Sequence, residues 1–328
     1  MKKKYNIVFF ILGLAIFVYL ILNFGINNIV SNIYKTGFYI LPIIGVWLVI
    51  YLLNTLTWYL IIKDDFPDIK YFNLLKIHLS SSALNYITPF INLGGEPYRI
   101  MCTREFIGEG NSITSTLLYN MLHMVSHIIF WLLCCFAVII FFPFSKVLYV
   151  IIPAIIILLL FIFILNKGYS NGIFLYIINL TNNVKLFGFL KKFINKRESK
   201  LRLLDEQLKK LYTQRRKTFY FSLASEFAAR MVAPFEFFLI LKSLNMDSSL
   251  IQSFYIYGGS SLILNILFFI PMEAGVRESS LYWVYGALGL SSGIGIYSAV
   301  INRIREFFWI LVGLGTMKFN KARVSKTQ

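Results

Sequence analysis

Acidic side chains are scarce in this chain: 15 Asp and Glu face 32 Lys and Arg, a net charge of +17 over 328 residues. Cysteine and histidine occur three times each. Cys102, Cys134 and Cys135 supply no disulfide framework, because two of them are adjacent, and packing suits them better than metal binding. A Walker phosphate loop is missing, which leaves ATP-driven pumping by this chain unsupported. A Gly-x-Ser-x-Gly elbow and the acidic cluster of a metal-dependent sugar transferase are missing too. His123 and His127 stand at the i,i+4 spacing that suits a metal, but they lack the glutamate of His-Glu-x-x-His, and His78 is the only other histidine. Polar packing or cavity lining is therefore preferred over a zinc hydrolase. No catalytic residue, metal site or cofactor is expected, and the chain reads as a non-enzyme.

What the chain has is apolar length. Hydrophobic residues make up 58% and aromatics 17%, with a mean hydropathy of +0.69, well above the level of soluble domains. Runs long enough to cross a hydrocarbon core of roughly 30 Å occur near 5–24, 38–62, 112–142, 147–166, 218–241 and 294–316. None alternates every second residue, so the expected class is an all-α, polytopic membrane bundle and not a barrel. The first run follows Lys2, Lys3 and Lys4 and ends at Asn23-Phe24-Gly25 without a small-residue cleavage pair, the pattern of an uncleaved anchor. With that end inside, 25 Lys and Arg fall in the segments before 5, at 63–110, at 167–217 and after 317, against Lys35, Lys146 and Lys242 opposite. The bias places both termini in the cytoplasm, and the high Lys, Ile, Asn, Phe and Tyr content makes a bacterial inner membrane the expected location. The bias also accounts for most of the positive charge without a nucleic acid partner.

Two polar stretches interrupt the apolar sequence: Pro89-Phe90-Ile91-Asn92-Leu93-Gly94-Gly95-Glu96-Pro97-Tyr98-Arg99, and Pro271-Met272-Glu273-Ala274-Gly275-Val276-Arg277-Glu278. Broken helices bearing charge at membrane depth mark where transport proteins handle cargo. If 74–110 enters from the cytoplasm and returns, and 251–290 does so from outside, the chain has about six full spans and two re-entrant pairs related as an inverted repeat. Two pairs of tilted full spans preserve the same parity. The whole chain, 1–328, is read as one transmembrane domain. Its one large extramembrane insert, 167–217, is basic and carries Leu201, Leu204, Leu208 and Leu211 at helical spacing. It reads either as an amphipathic helix on anionic headgroups or as ordinary topogenic charge.

Glu96 and Arg99 fall in the first turn after the Gly94-Gly95 break, where helix amides and a guanidinium together form a receptor for phosphate or carboxylate. The bland reading is a Glu96–Arg99 pair that stabilises the loop. Arg277 and Glu278 are neighbours and cannot share a helix face, so one lines the cavity while the other pairs elsewhere. Arg303, Arg305 and Glu306 are candidate partners. Glu226 and Arg230 form an i,i+4 pair within their span, and Glu236 follows Pro234 as either a gate or a buried structural acceptor. Each such charge costs about 2.5–3.5 kcal/mol if it faces lipid, and clustering in four elements argues for one central polar cavity with Glu273 at its edge.

Gly-Gly-Glu-Pro-x-Arg after a proline in the first half, with Gly-x-Arg-Glu after a proline in the second, resembles the lysylphosphatidylglycerol synthase transmembrane, or flippase-like, family. The similarity runs along nearly the whole chain. It implies movement of a lipid between leaflets, without the soluble aminoacyl-transferase domain of larger members, and so without lysyl transfer. Carried over from its motifs as cavity-forming are Gly94, Gly95, Glu96, Arg99, Gly275, Arg277 and Glu278, and Arg303 joins them as a substrate-binding candidate. The expected partners are membrane lipids with an anionic or lipid-linked phosphate headgroup, with a second copy of the chain or a separate synthase or glycosyltransferase as protein partners. An accessory subunit or enzyme of lipid-linked glycan modification, and a scaffold acting through 185–217, are the rival readings.

Overall fold

A computed structural model describes residues 26–87, 94–141, 155–160, 213–267 and 275–324, with scattered positions between 149 and 210 and at 270 and 273. The expected span at 5–24, half of that at 147–166 and most of the insert 167–217 lie outside the described residues, as do Pro89 to Leu93, Pro271, Met272 and Ala274. Among the described residues the chain is helical, with no strand. The principal helices are α1 (Ile26–Thr36), α2 (Ile40–Lys63), α3 (Tyr71–Ile87), α4 (Gly95–Ile107), α5 (Glu109–Phe141), α6 (Arg216–Val232), α7 (Pro234–Ser243), α8 (Leu250–Ile266), α9 (Val276–Ala287) and α10 (Ser292–Val324).

Two stretches, Val30–Lys63 and Glu109–Ile140, are long and apolar enough to cross a membrane. α2 and α5 thus fall where the 38–62 and 112–142 runs put them. The run at 218–241 is different: it divides at Ala233 into α6 and α7, because Pro234 has no N–H to continue the ladder and serves as the first residue of a new helix. α8 starts at a capping box in which the Gln252 amide donates to Ser249 Oγ, and the Ser249 amide donates to Gln252 Oε1, both at 3.2 Å. Hydroxyls on interior faces bond backward to the preceding turn, as Thr55 does to the Tyr51 carbonyl at 2.7 Å and Thr103 to the Arg99 carbonyl at 2.7 Å. Such bonds let polar side chains sit in a helix that has no water to turn to.

Both sequence breaks appear as helix–break–helix elements, α3 with α4 and α8 with α9, whose limbs pack against each other. All four limbs, at 12 to 17 residues, are shorter than the roughly 20 residues that span a bilayer core. α10 lies between the elements, against α3 on one side and α9 on the other. Its approach to α3 depends on Gly313, where a Cβ would stand 2.5 Å from the Leu79 carbonyl oxygen. Close contact through small residues is the usual basis of helix association in lipid.

Two of the apolar clusters among the described residues are the largest. One gathers Trp58, Ile61, Leu74, Ile77, Leu118 and Leu122; the other gathers Ile43, Phe237, Ile240, Ile256, Leu281 and Ile301. α2 belongs to both. Between them, along about 16 Å of α2 at 1.5 Å per residue, Trp47 and Thr57 bond to Glu236 and to the Ser222 carbonyl, while Ile50 and Tyr51 pack on Ala229, Ala233 and Trp309.

Candidate functional site

The first polar group forms at the start of α4. Gly95 begins that helix against α3, and its N–H donates to Asn85 Oδ1 at 2.7 Å. A side chain there would meet the Ser81 carbonyl oxygen at 2.1 Å, so the di-glycine permits close packing of the element's two limbs. Glu96 points to Asn85 Nδ2 at 3.5 Å, and the expected Glu96–Arg99 pair does not form. Arg99, 3% exposed, instead reaches His78 Nδ1 and Ser81 Oγ, each at 3.3 Å. Its guanidinium lies 4.5 Å from the ring centre of Tyr119 and 5.0 Å from that of Trp58. Among the described residues no carboxylate lies within 4 Å of it, and its Nε and Nη1 have no hydrogen-bond partner. A buried cation held by rings and weak polar contacts keeps its charge uncompensated.

On α5 the rings of Tyr119, His123, His127 and Trp131 follow each other every fourth residue, 5.7, 5.1 and 5.2 Å apart, and His78 joins the column 5.6 Å from Tyr119. All three histidines of the chain meet here. α6 supplies the counter-charges: Glu226 Oε2 lies 2.9 Å from His123 Nδ1, and Arg230 Nη2 lies 3.0 and 3.1 Å from the two ring nitrogens. Glu226 and Arg230 are also 3.5 Å apart, the pair expected from their spacing. Arg230 continues to the Tyr257 hydroxyl of α8 at 3.4 Å.

The second group joins α7, α9 and α10. Arg277 pairs with both Glu273 and Glu306, and Arg303 with Glu278 at 2.8 Å. Arg277 and Glu278 thus diverge to different partners on α10, as neighbours on a helix must. Glu236 accepts from Asn302 Nδ2 at 2.6 Å, Trp47 Nε1 at 2.6 Å and Arg305 Nε at 3.0 Å. Arg305 stacks 3.8 Å from the Trp47 ring centre. Both Glu236 oxygens are engaged, so of its two expected roles the geometry matches the structural acceptor. Three guanidinium groups face four carboxylates in this group, which is therefore not short of negative charge.

The charges expected around one central cavity thus fall into two groups, and Tyr51 connects them. Its ring lies 5.9 Å from His78 and 5.0 Å from Trp309, beside Tyr86, which in turn feels Glu306, Arg305 and Arg277. A cavity of about 300 Å³ opens at the other end of the first group, walled by Ile61, Ile62, Phe66, Ile107 and Leu118 and edged by Asp65, Lys210 and Arg215. Its apolar wall continues into the core that holds Trp58 and Tyr119. Arg215 Nη1 donates to Asp65 Oδ2 at 2.9 Å across the mouth, and this bond holds the Asp65 carboxyl below its ordinary range.

Sequence reasoning missed His78, Ser81, Trp58 and Tyr119 as surroundings of Arg99, and Trp47 and Asn302 as donors to Glu236. The only available signal was their polarity within apolar runs. Gly94 precedes α4 without a side-chain cap, while Gly275 precedes α9 in the left-handed region at φ 75°.

No curated protein and no solved structure matches the chain. The model of the family described as Lysylphosphatidylglycerol synthase TM region does match, across residues 7–315. That span includes both helix–break–helix elements, both polar groups and α10 through Gly315, and on it the chain is a membrane protein belonging to the lysylphosphatidylglycerol synthase transmembrane-region family.

Proposed function

We propose that this protein is a translocator, not an enzyme, and carries an anionic phospholipid or a lipid-linked phosphate headgroup between the leaflets of a bacterial inner membrane. The observation that carries the reading is Arg99. Placing a cation at membrane depth costs about 2.5–3.5 kcal/mol on the insertion scale, and two aromatic faces return roughly 0.5–2 kcal/mol each. Its unpartnered nitrogens can still donate to phosphate oxygens, with charge-assisted bonds of about 1.5–3 kcal/mol. Arg277 and Arg303, expected beforehand to share this role, are already matched by carboxylates. They serve better as the structural lock on the second element.

In this reading both termini are cytoplasmic and the short limbs are re-entrant from opposite faces, an arrangement that the positive-inside bias and the limb lengths support. The cavity edged by Lys210 and Arg215 then faces the cytoplasmic leaflet. A headgroup enters there, exchanging Asp65 for its own phosphate on Arg215, while its chains stay against the apolar wall. It passes along Trp58 and Tyr119 to Arg99. Tyr51 relays occupancy to the second group, whose ion pairs exchange partners to open the opposite side. Membrane lipids are the partners required; a second copy or a synthase remains compatible with the same site.

The test is headgroup accessibility in proteoliposomes, with fluorescent phosphatidylglycerol and a membrane-impermeant quencher. Wild type is expected to lose protected signal faster than empty liposomes. Arg99→Ala should abolish that gain, and Arg303→Ala, in a pair 18% and 31% exposed, should lower it less. Equal rates for Arg99→Ala and wild type would sink the assignment.

A further inference from the structure

Building on that reading, we infer that His123, Glu226 and Arg230 form a proton site coupled to anion binding at Arg99, so that headgroup and proton are bound together. A guanidinium only donates hydrogen bonds. With the Glu226 carboxylate oxygen at 2.9 Å, His123 Nδ1 carries the proton it donates, and Arg230 Nη2 lies beside the ring, 3.0 Å from Nδ1 and 3.1 Å from Nε2, so Nε2 is the ring nitrogen whose lone pair is left to meet that cation. A proton on Nε2 would point an N–H at a cation. His123 is therefore protonated only when Arg230 moves away, and a phosphate drawn to Arg99 supplies the reason for it to move. Once Arg230 turns to that anion, Nε2 takes a proton from water and the imidazolium stays paired with Glu226.

Access and compensation are both in place. His123 keeps 34% of its side chain accessible while Glu226 is fully buried, so the ring is the open member of the pair and the counter-charge cannot be hydrated away. The groups around the triad are Tyr119 and His127 on α5, His78 on α3, Arg99 on α4 and Tyr257 on α8, while Glu96 on α4 turns to Asn85. Arg99 shares its neighbours with His123, lying 3.3 Å from His78 and 4.5 Å from the Tyr119 ring centre, which is itself 5.7 Å from the His123 ring, so neutralising Arg99 with phosphate removes a second positive charge from the surroundings of the imidazole. Glu226 Oε1 and His127 Nδ1 have no hydrogen-bond partner among the described residues, which leaves the array room to rearrange its bonds. Arg230 also touches Tyr257 on α8, and its displacement releases a contact with the second broken element. Chains of Glu and His at membrane depth are the usual vehicles of proton relays.

Linkage makes the coupling reciprocal: acid must tighten anion binding by the factor by which the anion tightens proton binding. The experiment is calorimetric titration of the full chain in nanodiscs of zwitterionic lipid, in two buffers of different ionisation enthalpy, with dioctanoyl phosphatidylglycerol in one arm and inorganic phosphate in the other. Binding with uptake of about one proton near neutral pH, and affinity rising roughly tenfold or more on acidification, is expected. Uptake in the lipid arm alone assigns the site to a headgroup; uptake in both arms assigns it to phosphate in general. His123→Gln should bind without uptake. Because the chain has three histidines, nitrogen NMR of the imidazoles gives a second readout, with the His123 signal moving to the imidazolium position when the probe binds. Binding without proton uptake, or uptake that persists in His123→Gln, overturns the coupling and leaves translocation standing. Failure of both probes to bind removes both.

Discussion

The Gly95 amide donates to Asn85 Oδ1 at 2.7 Å, and that bond joins the two limbs of the first broken element at their closest point. The same approach puts Ser81 O where a Cβ of residue 95 would go, 2.1 Å away. Backbone cannot retreat as a flexible side chain can. Gly95→Ala is expected to destabilise the protein by about 3 kcal/mol, at the upper end of overpacking penalties. Thermal unfolding followed by size-exclusion fluorescence checks this, and an unchanged midpoint would mean that the limbs are not packed so closely.

Glu236 holds three donors from two helices, Trp47 on α2 and Asn302 and Arg305 on α10, and removing it leaves the buried Arg305 only the 3.6 Å contact with Glu306 as an ion pair. Loss of one partner of a buried pair costs about 3–5 kcal/mol, since the other charge remains desolvated. Glu236→Ala should therefore lower stability far more than Glu278→Ala, whose carboxylate is 31% exposed. Replacing Glu236 and Arg305 together by apolar residues should recover much of the loss. A double-mutant cycle on unfolding free energy measures it, and simple additivity would contradict the pairing.

Much of this arrangement was legible because membrane helices are specified by apolar length and charge spacing. Residues 38–62 and 112–142 became α2 and α5 within a few positions. Glu226 and Arg230 meet as their i,i+4 spacing requires, and Arg277 and Glu278 part as their adjacency requires. The Glu96–Arg99 pair failed for a reason outside the local sequence: α3 brings His78 and Ser81 to the guanidinium and Asn85 to the carboxylate. Likewise Trp58 and Tyr119 are apolar-run residues like any other until tertiary packing sets them around Arg99. Periodicity reports which face is buried, not which distant face it will meet.

Asp65 and Arg215 offer a pH test outside the membrane. The bond to Arg215 lowers the folded-state pKa of Asp65 below its ordinary 3.8. A depressed carboxylate contributes stability that is present above its unfolded value and is lost as pH falls through the folded value. At neutral pH Asp65→Asn should cost less than about 1 kcal/mol, because the pair is largely solvated and screened. Wild-type and Asp65→Asn stabilities should converge as the pH falls below 3.8. A gap that widens in acid would reverse the assigned sign.

Gly275 is kept for a different reason from Gly95. It precedes α9 at φ +75°, and a Cβ there would meet nothing within 4 Å. Substitution therefore meets only the torsional cost of the left-handed region, about 1–2 kcal/mol for an L-residue, and Asn tolerates that region better than Ala. Gly275→Ala should destabilise by about that amount, Gly275→Asn by less, and neither by as much as Gly95→Ala. Unfolding midpoints of the three variants provide the comparison. If Gly275→Ala proved the worst, an added side chain there would have to collide with something, and the α9 start would be a packed junction instead of a free turn.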